Sequence, residues 1–236
     1  SIESKKILAK HASVFIFFIL SSIFFKKIIF LSTKNKTFSS LAAILYLSYP
    51  YLLGHSFFNM KDIPFLTIWL ASTYFLIKNI LNFNSKEIVK IKHVIILAFL
   101  SAYLMSIRIS GLLIYIQYFI FALTLINYKK ISFLKFLKQF YKKIILFILI
   151  SFSLFLLLSP GYWDNPLKFF DGIIAMSQHI QTVCTVTLGE CMKAQNLPAS
   201  YMPIWFFFKL PIIILFGFVI LIFKEKIFFK SSINQL

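Results

Sequence analysis

The sequence predicts an all-α fold, a polytopic transmembrane helix bundle with about seven spans, and three observations predict it. Hydrophobic residues make up 60% of the chain and charged residues only 14%, roughly half the share usual in a soluble domain. The apolar residues come in runs close to the roughly 20 residues a helix needs to cross about 30 Å of hydrocarbon. Basic residues gather in short clusters between those runs, alternately rich and poor. In a soluble protein a net charge of +18 would point to nucleic acid. Set beside apolar runs, the same lysines fit loops facing an anionic leaflet, so membrane lipids are expected as partners and nucleic acid is not.

The candidate spans are residues 7–25, 38–55, 64–82, 93–107, 112–128, 144–160 and 204–223. Lys26, Lys27, Lys34 and Lys36 follow the first, and Lys61 is the one lysine between the second and third. Lys86, Lys90 and Lys92 precede the fourth, and Arg108 stands alone after it. Lys129, Lys130, Lys135, Lys138, Lys142 and Lys143 follow the fifth, a long loop with few basic residues follows the sixth, and Lys224, Lys226 and Lys230 follow the seventh. By the positive-inside rule the lysine-rich loops are cytoplasmic, and the outer loops are 54–64 and 161–208, in a multi-pass protein of the cell (inner or plasma) membrane. Lys5, Lys6 and Lys10 run against this orientation. Segment 93–107 rises only about 22 Å, so the turn Arg108-Ile109-Ser110-Gly111 is expected at or below the outer interface. No repeat and no Pro-, Gly- or Ser-rich linker divides residues 1–236, which read as a single membrane domain. The chain opens at Ser1 without a secretory signal pattern and reads as a fragment of a longer protein.

The outer loops hold four of the seven acidic residues, Asp62, Asp164, Asp171 and Glu190. The first loop, Gly54-His55-Ser56-Phe57-Phe58-Asn59-Met60-Lys61-Asp62-Ile63-Pro64, puts a histidine, an amide, an ammonium and a carboxylate between two spans. His55 is a candidate metal ligand or phosphate holder, and Asp62 a candidate to assist a metal or orient an acceptor. Lys61 is a candidate to neutralise a phosphate. The alternative is that Asn59 and Asp62 cap the next helix, with Pro64 in its first turn. Arg108 is the chain's one guanidinium, a fork that takes phosphate oxygens in pairs; the alternative is an anchor snorkelling at a helix end. The second loop is too long for a plain connection. Its stretch Leu167 to Ile180 sets Phe169, Phe170, Ile173, Ile174 and Ile180 on one broad side, the pattern of a helix lying in the interface. Cys184 and Cys191, the only cysteines, fall in this loop and are expected to form a disulfide on an oxidising face, with two free thiols as the alternative if geometry forbids the bond.

Taken together, several short runs resemble the membrane-embedded glycosyltransferases of the GT-C class. They are Tyr49-Pro50 through His55-Ser56, Asn59, Lys61-Asp62 and Pro64; Arg108 with Gly111; Pro160, Trp163 and Asn165-Pro166; and Gly189, Leu197-Pro198, Tyr201, Pro203-Ile204-Trp205 and Lys209-Leu210-Pro211. The likeness is to bacterial proteins related to protein O-mannosyltransferases and the aminoarabinose transferase of lipid A, over about residues 5–223. It implies inverting transfer of a sugar from a polyprenyl-phosphate donor to an acceptor on the non-cytoplasmic side. It carries over two residues, Asp62 at the family's second outer-loop acidic position near the donor phosphate, and Arg108. His55 as a catalytic residue beside Asp62, and Lys61 and Asn59 at the donor phosphate with Arg108, are expectations from the loop's own chemistry. A divalent metal is an open cofactor question, with no metal ligands assigned, and neither the sugar nor the acceptor is specified. Such enzymes take their catalytic base from the outer loop after their first helix. Only Glu3 precedes segment 7–25 here, without the surrounding motif, which agrees with a fragment that is inactive in isolation.

Two other classes compete. A transporter or channel would carry polar groups along its spans, whereas here they concentrate in the loops. A non-catalytic membrane scaffold would need neither His55, Asp62 nor Arg108.

Overall fold

The structure, a computed structural model, describes residues 2–81, 90–177, 185–187, 189–193, 196–212, 214–217 and 219–220. The chain separates into two compact units, Ser1–Pro166 and Leu167–Leu236. In the first unit lie helices α1 (Ile2–Thr33), α2 (Lys36–Leu47), α3 (Pro50–His55), α4 (Asp62–Leu81), α5 (Ile91–Ile107), α6 (Leu113–Lys129) and α7 (Phe133–Leu158). Short 3-10 turns at Ile109–Leu112 and Pro160–Tyr162 follow α5 and α7.

Four stretches are long and apolar enough to cross a membrane, Glu3–Thr33, Asp62–Leu81, Ile109–Lys129 and Phe133–Leu158. α2 and α5 are apolar but shorter. The expected span 38–55 is not one helix, because Pro50 holds Tyr49 in an extended conformation (φ −65°, ψ 112°) and splits it into α2 and α3. The 12 residues of α2 rise about 18 Å, well short of the hydrocarbon thickness.

The first unit differs from a soluble bundle in its surface and in the small residues it buries beside larger apolar ones such as Phe18, Leu104 and Phe155. Small and hydroxyl residues are buried between helices, among them Ser21, Ser22, Ser39, Ala71, Ser72, Ala98, Ser101 and Ala102. Large apolar residues are exposed at helical spacing, such as Ile16, Ile19, Leu20 and Ile23 on α1 and Ile145, Ile148, Leu149 and Phe152 on α7. That division is what lipid as the outer solvent selects, since close backbone approach and interhelical hydrogen bonds replace a water-driven core. The hydrogen bonds are present: Ser21 Oγ with the Tyr46 hydroxyl (2.8 Å) ties α1 to α2. Gln117 Nε2 donates to Thr73 Oγ1 (2.8 Å) between α6 and α4, and Tyr115 donates to Ser151 Oγ (2.9 Å) between α6 and α7.

The start of α4 is fixed against α1. Thr67 Oγ1 donates to the Phe17 carbonyl (2.8 Å), while Ile63 packs with Val14 and Phe18 in a buried cluster flanked by Tyr46, Leu52 and Leu53. Asp62 therefore leaves a helix whose first turns cannot move independently of α1 and α3.

In the second unit, α8 (Lys168–Ser177) falls within the stretch read as interfacial, and α9 (Tyr201–Lys209) begins just before the seventh expected span and overlaps its start. Leu210 is extended before Pro211, and helical residues resume at Ile212. Between them is an element that the hydropathy pattern does not predict, an antiparallel pair β1 (Thr185–Thr187) and β2 (Glu190–Met192) with Val186 opposite Cys191. Gly189 takes the positive φ of 86° that the tight connection needs. Positions 178–180 of the interfacial stretch, Cys184 and positions 221–223 lie outside the described residues.

Candidate functional site

The loop between α3 and α4 is organised by one amide. Asn59 Oδ1 accepts from the backbone N–H of Asp62 (2.9 Å) and, at longer range, of Lys61 (3.3 Å), supplying the cap that the start of α4 requires. Its Nδ2 donates to Asp62 Oδ2 (2.7 Å) and to His55 Nδ1 (3.0 Å). Two backbone donors on one side of the amide and a carboxylate on the other fix its orientation. His55 Nδ1 is consequently an acceptor, which leaves the ring proton on Nε2. The ring itself is held between Tyr51 and Phe58, with centroids 4.5 and 5.2 Å away.

Arg108 arrives from the far end of α5. There the backbone turns out of the helix into an extended residue (φ −152°, ψ 140°), then folds through the 3-10 turn. That turn lies directly on α5. A Cβ at Gly111 would come within 2.6 Å of the Leu104 carbonyl carbon and 2.7 Å of Leu104 O and Met105 N, so this approach demands glycine. The outcome is an ion pair across 46 residues of sequence, Arg108 Nη1 donating to Asp62 Oδ1. Both side chains are 47% exposed, so the pair itself adds at most about 1 kcal/mol to stability. Among the described residues this is the only side-chain hydrogen bond of Arg108, and the remaining donors of its five N–H groups stay available.

Asp62, Arg108, Asn59 and His55 thus form one connected cluster. Lys61 joins it through its backbone, and its exposed ammonium enters no ion pair among the described residues. Cys191 lies in the hairpin of the second unit and is disulfide-bonded; its expected partner Cys184 is outside the described residues. Sequence reasoning missed His11, whose Nδ1 donates to the Phe57 carbonyl and ties the loop to α1. A contact made only to a backbone carbonyl leaves no pattern in the sequence.

The donor set does not fit a divalent cation held by protein groups. Asp62 directs one oxygen at a guanidinium and the other at an amide. No group of three or more His, Cys, Asp or Glu comes together among the described residues. What the cluster can do is hold an anion: a fixed guanidinium with free donors, with a carboxylate and an amide-linked imidazole set beside it.

No protein family, curated protein or solved structure matches the chain.

Proposed function

We propose that this chain is part of a membrane glycosyltransferase that moves a sugar from a polyprenyl-phosphate donor to an acceptor on the non-cytoplasmic side. The observation that carries the reading is the Asp62–Arg108 pair, braced by Asn59 beside His55 at one end of a helical unit with a lipid-type surface. In the proposed reaction an acceptor hydroxyl attacks the anomeric carbon, the bond to the donor phosphate oxygen breaks, and the hydroxyl proton passes to a base. Arg108, with Lys61 beside it, meets the charge growing on the departing phosphate, an interaction stronger in the transition state than before it. Asp62 aims the guanidinium and His55 faces the acceptor. The proposal includes the finer topology of seven crossings in the inner or plasma membrane, with 54–64 and 161–208 outside. It also includes a Cys184–Cys191 disulfide on that face. Lysine asymmetry between alternate loops supports it. The interhelical polar groups are satisfied in two separate pairs, Gln117 with Thr73 and Tyr115 with Ser151, which favours a surface site over a conduit.

The test uses membranes carrying the full-length protein and a panel of polyprenyl-phosphate sugars. Asp62→Asn and Arg108→Ala are each expected to lower transfer at least about tenfold, a loss of about 1.4 kcal/mol of transition-state stabilisation. Insertion should be unchanged, because the pair contributes little to stability. Parental transfer rates in both variants would reject the assignment.

A further inference from the structure

The opposite ends of α1 and α4 carry a second cationic feature, which the proposed reaction does not use. Lys27 Nζ lies 5.4 Å from the centroid of the Tyr74 ring and 5.7 Å from that of Phe24. Lys78 Nζ lies 5.8 Å from the same Tyr74 centroid. Two ammoniums on separate helices are thereby no farther apart than the sum of their distances to one ring. The ring is itself fixed, packed against Phe24 (6.0 Å) and edge-on to Phe75 (5.2 Å).

Aromatic faces attract ammoniums but carry no net charge, so the rings hold the two lysines in place without neutralising them. Lys90, Lys92 and Lys78 are all close enough to act on the ring of His93, which extends the positive field onto the start of α5. The acidic residues described in this unit sit elsewhere, at the start of α1 (Glu3), at the start of α4 (Asp62) and beyond the end of α7 (Asp164). Among the described residues Lys27 and Lys78 have no anionic partner, and both are exposed. Holding like charges together is unfavourable unless an anion from outside joins them. The exposed Ile16, Ile19, Leu20 and Ile23 continue along α1 from this point, an apolar surface suited to acyl chains.

We propose that Lys27, Lys78 and Tyr74 form a headgroup site for an anionic phospholipid, with the lipid phosphate between the two ammoniums and its acyl chains along α1. The site belongs to the leaflet opposite the Asp62–Arg108 cluster and does not depend on the proposed transferase activity. Lysines at an anionic surface each contribute to such binding.

The test reconstitutes the full chain in phosphatidylcholine vesicles with and without phosphatidylglycerol, then extracts it gently and counts retained lipids by native mass spectrometry. The parent is expected to retain phosphatidylglycerol over phosphatidylcholine. Lys27→Gln/Lys78→Gln should retain it about thirtyfold less, the loss expected when two ammoniums leave an anionic surface. Lys135→Gln/Lys138→Gln should match the parent. Thermal unfolding in phosphatidylcholine alone checks that the double variant is folded, and Tyr74→Leu, which removes the shared ring but no charge, should weaken retention as well. Inorganic phosphate in the buffer should not displace the lipid. Equal retention in the parent and the Lys27/Lys78 variant, or equal loss in the Lys135/Lys138 control, overturns the site.

Discussion

At the scale of single residues, Asn59 has two duties that substitution can separate. Its Oδ1 caps α4 and its Nδ2 holds Asp62 and His55. Asn59→Ala loses both, so it should lower stability by about 1 kcal/mol, the usual cost of a lost cap, and lower sugar transfer as well. Asn59→Asp keeps a capping oxygen but replaces the donor with a second carboxylate facing Asp62. It should therefore regain part of the unfolding temperature lost by alanine while transferring sugar no better than alanine does. If aspartate restores both, the amide is only a cap and the site has no need of its donor. These residues were partly legible in the sequence. Asp62, Arg108, His55, Asn59 and Lys61 stand out because polar groups are rare in such a chain, and the capping role of Asn59 follows from its place before an apolar run. That Asp62 and Arg108 touch could not be read, because nothing local specifies a contact across 46 residues.

At the scale of elements, the position of Arg108 depends on how tightly the 3-10 turn lies on α5, and Gly111 sets that distance. The obstructing atoms are backbone, so a methyl group at 111 cannot be accommodated by a rotamer change. Gly111→Ala should cost about 1–3 kcal/mol, as overpacking typically does, and should impair transfer by displacing Arg108. Gly54→Ala is the matched control. It lies within α3 with nothing within 4 Å of the added atom, so stability should hold or rise slightly. Thermal unfolding of both variants in one detergent checks the pair, and equal behaviour would mean that the close approach at Gly111 is not a constraint. Apolar runs located the long helices because hydropathy reports lipid exposure directly. They failed at 38–55, where Pro50 breaks the helix without interrupting the apolar composition. The β1–β2 hairpin did carry a signal, Thr-Val-Thr followed by a glycine turn, but the surrounding loop composition obscured it.

At the scale of the whole molecule, the question is which face of the membrane each end of the first unit meets. α1 has 32 residues and rises about 48 Å, more than the hydrocarbon thickness, so part of it stands clear of the apolar layer. The contact of His11 with Phe57 fixes which part, since it sets the first turns of α1 level with the loop before α4. Lys5, Lys6 and Lys10 therefore belong to that projecting stem, and their charge runs against the orientation that the other lysines favour. In the proposed topology 54–64 meets the non-cytoplasmic face and residue 135 the cytoplasmic one. Met60 is exposed and outside the hydrogen-bonded cluster, which makes it a suitable reporter. In a background with Cys184 and Cys191 replaced by serine, Met60→Cys should react with an impermeant maleimide added to intact cells. Lys135→Cys should react only after the membrane is opened. The unsubstituted protein should remain unlabelled until it is reduced, because a disulfide between Cys184 and Cys191 leaves no thiol on that face. Labelling at 135 but not at 60 would reverse the topology, and with it place the Asp62–Arg108 cluster on the side where a non-cytoplasmic acceptor cannot reach it.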